Sequence, residues 1–543
     1  MGKNFKNDTI VYQIYPRSYC DSDGDGYGDI PGIISKLDYI SSLGVNTIWL
    51  SPVYKSPDDD NGYDISDYKT IQPRFGTMDD FDRLVKEAEA RGIGIVMDLV
   101  INHTSDEHEW FKRALAGEEK YKNYYIIKKG TQKKIPNNWG NFFAECPWAK
   151  FGGEESDEYY LHLFSKKQPD LNWHNPDVMQ EIKDIMNFWL DKGVKGFRCD
   201  VINIIYKNTL ENGKKRFILT GQEHYLSTDG CHKILHELRE SCLEPHGAWA
   251  VGETVFVGLK EAHDLTDEER GELDMVFSFE HMECDQTIVK WFKTKLKPKK
   301  LMKIITKWQA GLDWNTVYFE NHDQPRFISR FSDSEKYLSD ASRMMAGLVM
   351  TLRGTPYVFE GQEIGMTNGD FKDLDEVADI ESHNVYKMAK SLGIPKGARW
   401  KMIKRSSRDN ARTPMQWNAD EGAGFTSGTP WLKINANRRD INVESELSKE
   451  RGVLSFWKKM IELRKTLPAL LDGKFIPVFE ARSVYAFERV CEGERLLAIF
   501  NMCGKCVKIP KKIDSSGDVV ISTHESGNIM SPFEFRLIRK GQS

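Results

Sequence analysis

At 543 residues the chain exceeds one ordinary domain, and 40% hydrophobic with 29% charged residues is the balance of a globular protein, not a disordered one. A formal net charge of −5 and a pI near 6.3 supply no basic field to draw in nucleic acid. The first six residues carry no apolar stretch behind their basic side chains, and no run is long and apolar enough to span a bilayer. A cytoplasmic monomer with no membrane partner is therefore expected. The nine cysteines, an odd number, read as scattered without C-x-x-C spacing, with Cys199 a small core residue.

Eight short apolar runs recur along the chain, at residues 11–15, 47–50, 93–101, 196–201, 248–252, 275–279, 316–319 and 356–359. After the first comes an acidic loop, Asp21-Ser22-Asp23-Gly24-Asp25-Gly26-Tyr27-Gly28-Asp29. Oxygens at positions 1, 3, 5 and 9 with glycine at 6 follow the first part of a calcium loop, although the twelfth position is Gly32 and not the bidentate glutamate. Helix-period segments separate the runs, such as 33–43 and 78–91, the latter closing at Gly92. Strands alternating with helices predict a parallel sheet, and eight of them a closed (β/α)8 TIM barrel. An aromatic-rich excursion, 104–170, is too long for an ordinary loop and reads as an inserted subdomain over the barrel mouth after the third strand. A second polar insertion spans 368–425, and the Lys-rich stretch from Lys293 to Lys303 reads as a solvated helix face. Beyond Leu467 short alternating segments predict an antiparallel β domain. The expected boundaries are 1–103 with 171–467 for the barrel, 104–170 for the insertion and 468–543 for the β domain.

Polar residues cluster directly after the predicted strands, where barrels of this kind carry their chemistry. Asp200, Glu253 and Asp323 end the fourth, fifth and seventh, and His103 follows the third. Residues two apart on a strand share a face, so Arg198 and Asp200 point the same way, and a cation beside a carboxylate keeps it ionised. On the hexapeptide Gly196-Phe197-Arg198-Cys199-Asp200-Val201 alone, a structural ion pair and a nucleophile are equally open. Three carboxylates at strand ends favour the nucleophile. Glycosidic hydrolysis needs one carboxylate to attack and one carboxylic acid to protonate the leaving oxygen. Glu253 has no cation adjacent in sequence and is the better proton donor. Asp323, beside His322, is placed to bind sugar hydroxyls and favour positive charge on the ring.

Four motifs in order resemble those of the α-amylase superfamily of glycoside hydrolases, within it the oligo-1,6-glucosidase and α-glucosidase group. They are Asp98-Leu99-Val100-Ile101-Asn102-His103, Gly196-Phe197-Arg198-Cys199-Asp200, Gly252-Glu253 and Glu320-Asn321-His322-Asp323. Gln168-Pro169-Asp170-Leu171-Asn172 is similar to that group's marker segment. The resemblance implies Asp200 as nucleophile, Glu253 as general acid/base and Asp323 as transition-state stabiliser, in a double displacement with retention. The first two carboxyls should then lie about 5–5.5 Å apart. It further implies a glucose pocket built from Asp64, Tyr63 as stacking face, His103, Arg198, His322 and Arg412, with Phe143, Phe164 and Gln168 as walls from the insertion. An Asp64–Arg412 pair across its end would make the enzyme exo-acting on small oligosaccharides. The resemblance also supports a structural, non-catalytic Ca2+ on Asp21, Asp23, Asp25, the Tyr27 carbonyl and Asp29. Val201, following the nucleophile, favours α-1,6 links in this group. Trehalose-6-phosphate hydrolases tend to carry Val there too, so they and sucrose-isomerising or α-1,4-acting members stay open. A catalytically silent relative is disfavoured by the intact carboxylates.

Overall fold

A computed structural model describes residues 5–131, 134–287, 289–332, 335–525 and 527–541. The start of the N-terminal stretch read for a signal, residues 1–4, lies outside them. Eight parallel strands form one sheet: β1 (Val11–Ile14), β2 (Thr47–Leu50), β3 (Gly94–Leu99), β4 (Gly196–Cys199), β5 (Trp249–Glu253), β6 (Met275–Phe277), β7 (Thr316–Val317) and β8 (Thr355–Phe359). Their order runs β6-β5-β4-β3-β2-β1-β8-β7. The ring closes where the Thr316 hydroxyl of β7 donates to Val276 O of β6 at 2.9 Å. All eight predicted strands form: β2 matches its run, β8 begins one residue early, and the other six are shorter than or shifted from theirs.

Alternation along the strands divides the core in two. Ile48, Leu50, Ile95 and Met97 face the helices, while Val11, Trp49, Val96, Val251, Phe277 and Tyr357 fill the barrel. The interior aromatics pack edge-on, Phe277 against Tyr357 at 4.8 Å between centroids, and form the floor beneath the mouth. Outside, the helix Met78–Glu89 shows how local sequence sets an element. Thr77 and Asp80 form a reciprocal capping box, Phe81, Leu84 and Ala88 recur on the buried face, and Gly92 (φ +70°) turns the chain into β3.

The insertion holds three antiparallel strands, Ile127–Lys129, Trp148–Lys150 and Glu158–Leu161. It leaves and returns at one place, because His103 bridges Asp170 and Leu171 N donates to Asn102 O at 2.9 Å. The second insertion carries helices Ile380–Ser391 and Lys396–Ser406. The Lys-rich stretch departs from its expected form. The helix begins only at Pro298, and Lys293 is half-buried before it, its ammonium brought down to about 7 by burial.

At the C-terminus a five-stranded antiparallel sheet packs on helix Leu338–Thr351. Two buried arginines brace this region through backbone carbonyls, Arg489 from the sheet and Arg464 from helix Val453–Thr466. Arg489 donates to Thr351 O, Leu470 O and Gly473 O at 2.8–3.0 Å, and Arg464 to Leu352 O at 2.7 Å and Gly354 O at 2.5 Å. The helix C-terminal carbonyls are the negative ends of their dipoles, which suits cations. All nine cysteines are free. Contrary to the expected scatter, Cys503 and Cys506 do stand in C-x-x-C spacing, on an accessible loop.

Candidate active site

The site is built on adjacent registers of β3, β4 and β5. Asp98 and Val251 flank Arg198 as direct strand partners, so all three side chains enter the barrel mouth at one level. The Arg198 guanidinium is 1% exposed and holds three carboxylates. Its Nη1 donates to Asp98 Oδ1 at 2.5 Å and Asp200 Oδ1 at 2.6 Å, and its Nη2 meets Glu253 Oε2 at 2.7 Å. Trp49 fixes Asp98 from the far side, donating to its Oδ2 at 2.8 Å. β4 ends at Cys199, one residue before Asp200, which lies in the following turn and not on the strand as expected.

This geometry changes the electrostatic expectation. Arg198 does not serve Asp200 alone, and Glu253 has a cation through space that sequence adjacency did not show. Burial and the neighbouring Glu253 carboxylate push Asp200 well above the usual carboxylate range, with Arg198 opposing. The Asp200 and Glu253 carboxyls meet on one guanidinium, so the charge on Glu253 bears directly on Asp200. Glu253 lies within hydrogen-bonding reach of Asp200, a spacing short of the roughly 6.5–9.5 Å that admits an intervening water in inverting enzymes.

Asp323 stands across the mouth in a different setting. Arg412 Nη2 donates to its Oδ1 at 2.9 Å, Arg408 lies 3.5 Å away and His322 Nε2 3.0 Å. Burial acts against its charge, but these neighbours outweigh it and hold Asp323 well below its ordinary range. His322 is itself set by the Gln13 amide on Nδ1 at 2.8 Å and the Tyr63 hydroxyl on Nε2 at 2.6 Å, with the Tyr63 and His322 rings stacked at 5.4 Å. Tyr63 therefore lines the cavity as a ring backed by another ring.

The expected Asp64–Arg412 pair does not form. Asp64 is fully buried, accepting from Ser56 Oγ at 3.0 Å and the amides of Asp59 and Asp60 at 2.8 and 3.0 Å, and burial pushes it up to about 7. It shapes the loop that presents Asp60. The pair across the pocket end is Asp60–Arg408 at 3.0 Å, with Arg408 also 2.7 Å from Asp379 and stacked over Phe143 at 5.4 Å. Arg412 instead locks Asp323 and His322 O.

Phe143 and Phe164 line the cavity as expected, their rings edge-on at 5.6 Å, and His103 lies beside Phe164 at 5.2 Å. Burial holds His103 below its ordinary range, so it is neutral. Gln168 is not a wall residue. It sits fully buried behind His103, 3.1 Å from Nε2, and donates to Asp60 Oδ2 at 3.3 Å. Val201 is in the left-handed region (φ 36°, ψ 39°), strained for a β-branched side chain, and its amide donates to Glu253 Oε2 at 3.2 Å. The residue after Asp200 thus orients Glu253 through its backbone while its side chain faces the cavity.

Sequence reasoning missed Asp60, Asp98, Gln13 and Arg408. Asp98 stood in a quoted motif, and Arg408 precedes Arg412 by one helical turn. Gln13 carried no signal beyond its place on a strand. The cavity, which Asp60 and Arg408 line, is about 820 Å³, and its described lining carries seven carboxyl side chains against two cations, Lys290 and Arg408. Lys290 is already paired with Glu381.

The acidic loop near the N-terminus brings one oxygen each from Asp21, Asp23 and Asp29 within 4.8 Å of one another. Three like charges at that spacing, on a turn tightened at Gly24 (φ +84°) and Gly26 (φ +95°), fit a hard divalent cation. Asp25 does not join them, accepting instead from Tyr27 N at 2.8 Å. Among the described residues no helix is long and apolar enough to cross a membrane.

A family model of the α-amylase catalytic domain matches residues 13–473. An oligo-1,6-glucosidase of Bacillus cereus is 45% identical over 99% of this chain and 98% of its own length. The crystal structure of a trehalose-6-phosphate hydrolase from Bacillus licheniformis superposes with a TM-score of 0.92 at 39% identity, covering 99% of this chain and 100% of that one. An isomaltulose synthase from Klebsiella sp. LX3 does so with a TM-score of 0.94 at 36% identity, over 99% and 100%.

Proposed function

We propose that this chain, which belongs to the α-amylase family of glycoside hydrolases, is an exo-acting retaining α-glucosidase releasing glucose from α-1,6-linked oligosaccharides. The observation that carries this reading is one buried guanidinium holding Asp200 and Glu253 side by side in a pocket ended by Asp60–Arg408. In the first step the Asp200 carboxylate attacks the anomeric carbon while Glu253 gives its proton to the glycosidic oxygen, and the aglycone leaves as an alcohol. Glu253, now a carboxylate, takes a proton from water. The water oxygen displaces Asp200 and restores the starting configuration. Asp323, held ionised by its cations, stabilises the positive charge that develops on the ring in both steps.

The acidic cavity supports a neutral aglycone over a phosphorylated one. A sugar phosphate beside the scissile bond needs unpaired cations, and both cations lining the cavity are engaged by carboxylates. Lys214, Lys215 and Arg216 are exposed and are not among the residues lining the cavity, and Arg216 is paired with Glu223 at 3.5 Å. We further place a structural Ca2+ on the Asp21 loop, where it would pull three carboxylates together and brace the loop after β1 without touching the reaction. The cytoplasm and a monomeric state remain part of the same reading. Hydrolysis of isomaltose, maltose, sucrose and trehalose 6-phosphate is the test. Isomaltose should be cleaved fastest with glucose the sole product; preferential cleavage of the phosphorylated sugar would overturn the assignment.

A further inference from the structure

Eleven large hydrophobic side chains stand exposed among the described residues, and six of them line the one cavity that holds the catalytic carboxyls. They are Phe217, Ile218, Phe256, Phe292, Met388 and Leu392, with Phe217 81% and Leu392 70% exposed. They come from four separate segments of chain. The Phe217 loop is seated by Leu219, which is buried in the left-handed region (φ 49°), and by Gly140 N donating to Thr220 O at 2.8 Å. Phe256 is likewise held out at φ 55°. Met388 and Leu392 are one helical turn apart, at the end of helix Ile380–Ser391. A rim converging from four directions is not the scattered exposure of an ordinary surface.

Apart from its aromatic faces, this rim suits a second sugar poorly. Ile218, Met388 and Leu392 offer sugar hydroxyls no hydrogen-bond partner, and desolvating hydroxyls without one is unfavourable. The cavity lining also holds polar groups such as Glu283, Gln286 and Gln324, with Gln324 buried, and these can serve the oxygens nearest the scissile bond. A cavity of about 820 Å³ has room for a glucosyl unit and a further group of similar size.

Resting on the glucosidase reading, we infer that the outer part of this site binds apolar aglycones, so that the enzyme cleaves alkyl α-glucosides whose chain lies along the Phe217–Leu392 rim. The bonds broken and made are those of the proposed hydrolysis, with the alkyl alcohol as leaving group.

The test is the specificity constant for n-alkyl α-D-glucosides from methyl to octyl, each below its micelle-forming concentration, with isomaltose alongside. Burial of successive methylenes predicts a rise of about two- to fourfold per carbon until the chain outgrows the rim. The double variant Phe217→Ser/Leu392→Ser changes only exposed side chains and should fold, with an unaltered Tm. Its chain-length slope should flatten. A flat series in the unaltered enzyme, with isomaltose cleaved, overturns the rim assignment alone. An undiminished slope in the double variant does the same. Absence of cleavage of isomaltose and of every glucoside would instead strike the glucosidase reading on which the inference rests.

Discussion

Replacing Arg198 by lysine tests the electrostatic centre of the site. The guanidinium presents two nitrogens to three carboxylates at 2.5, 2.6 and 2.7 Å, with Glu253 on one nitrogen and Asp98 and Asp200 on the other. An ammonium is a single point and cannot occupy both positions, so at least one catalytic carboxyl loses its cation. Losing an opposite charge at this range raises a carboxyl pKa by about 1–3 units. The sign follows from the protonation states. The active form carries one proton on the Asp200–Glu253 pair, and the acid limb of kcat/KM reports uptake of a second. Without the full fork the doubly protonated form persists to higher pH, and the acid limb moves up by that shift. Below the new limb the loss is about tenfold per unit; activity recovers as pH rises until the basic limb is met. The assay is kcat/KM on isomaltose across the pH range for both proteins. A variant whose activity falls equally at every pH, with the acid limb unmoved, would refute the shared-cation account and leave Arg198 a purely structural residue.

Asp200→Asn should abolish turnover while keeping the Tm close to the original; near-normal turnover would remove the nucleophile assignment. Asp60→Ala should cost roughly 1.5–3 kcal/mol of glucose recognition, seen as a rise of about ten- to a hundredfold in KM, since it removes a charge-assisted contact at the pocket end. Asp64→Asn should affect Tm more than KM, and the reverse pattern would restore Asp64 to the pocket. Val201→Thr should raise activity on α-1,4 relative to α-1,6 substrates, and an unchanged ratio would place the selectivity elsewhere. Chelation by EDTA should lower the Tm, with recovery on adding Ca2+ and less on Mg2+, while the kcat of the folded enzyme stays constant. An unmoved Tm would remove the metal from the Asp21 loop.

Much of this protein was written locally. Strand runs, helix caps and turn glycines are decided by a few neighbouring residues, so the eight strands were legible by pattern, as was the place of Glu253 at the end of β5, while Asp200 and Asp323 fall in the segments after β4 and β7. The period of two placed Arg198 and Asp200 on one face, and they do meet. What one-dimensional order could not show is which charges become neighbours through space. Glu253 gains Arg198 because β4 and β5 are hydrogen-bonded in register, 55 residues apart in the chain. Arg408 reaches Asp60 from the second insertion, 348 residues away. That folding exchanged the expected Asp64–Arg412 pair for Asp60–Arg408, because a loop with aspartates four residues apart turned Asp64 inward to its own amides and Asp60 to the cavity. The strain at Val201 is likewise invisible in its identity, since a valine is held left-handed only where the surrounding barrel overdetermines its backbone. Residue type and periodicity determined the scaffold and the reactive groups. The pairing of charges around Asp200, Glu253 and Asp323 was decided by strand register and burial, because electrostatics acts across space and not along the chain.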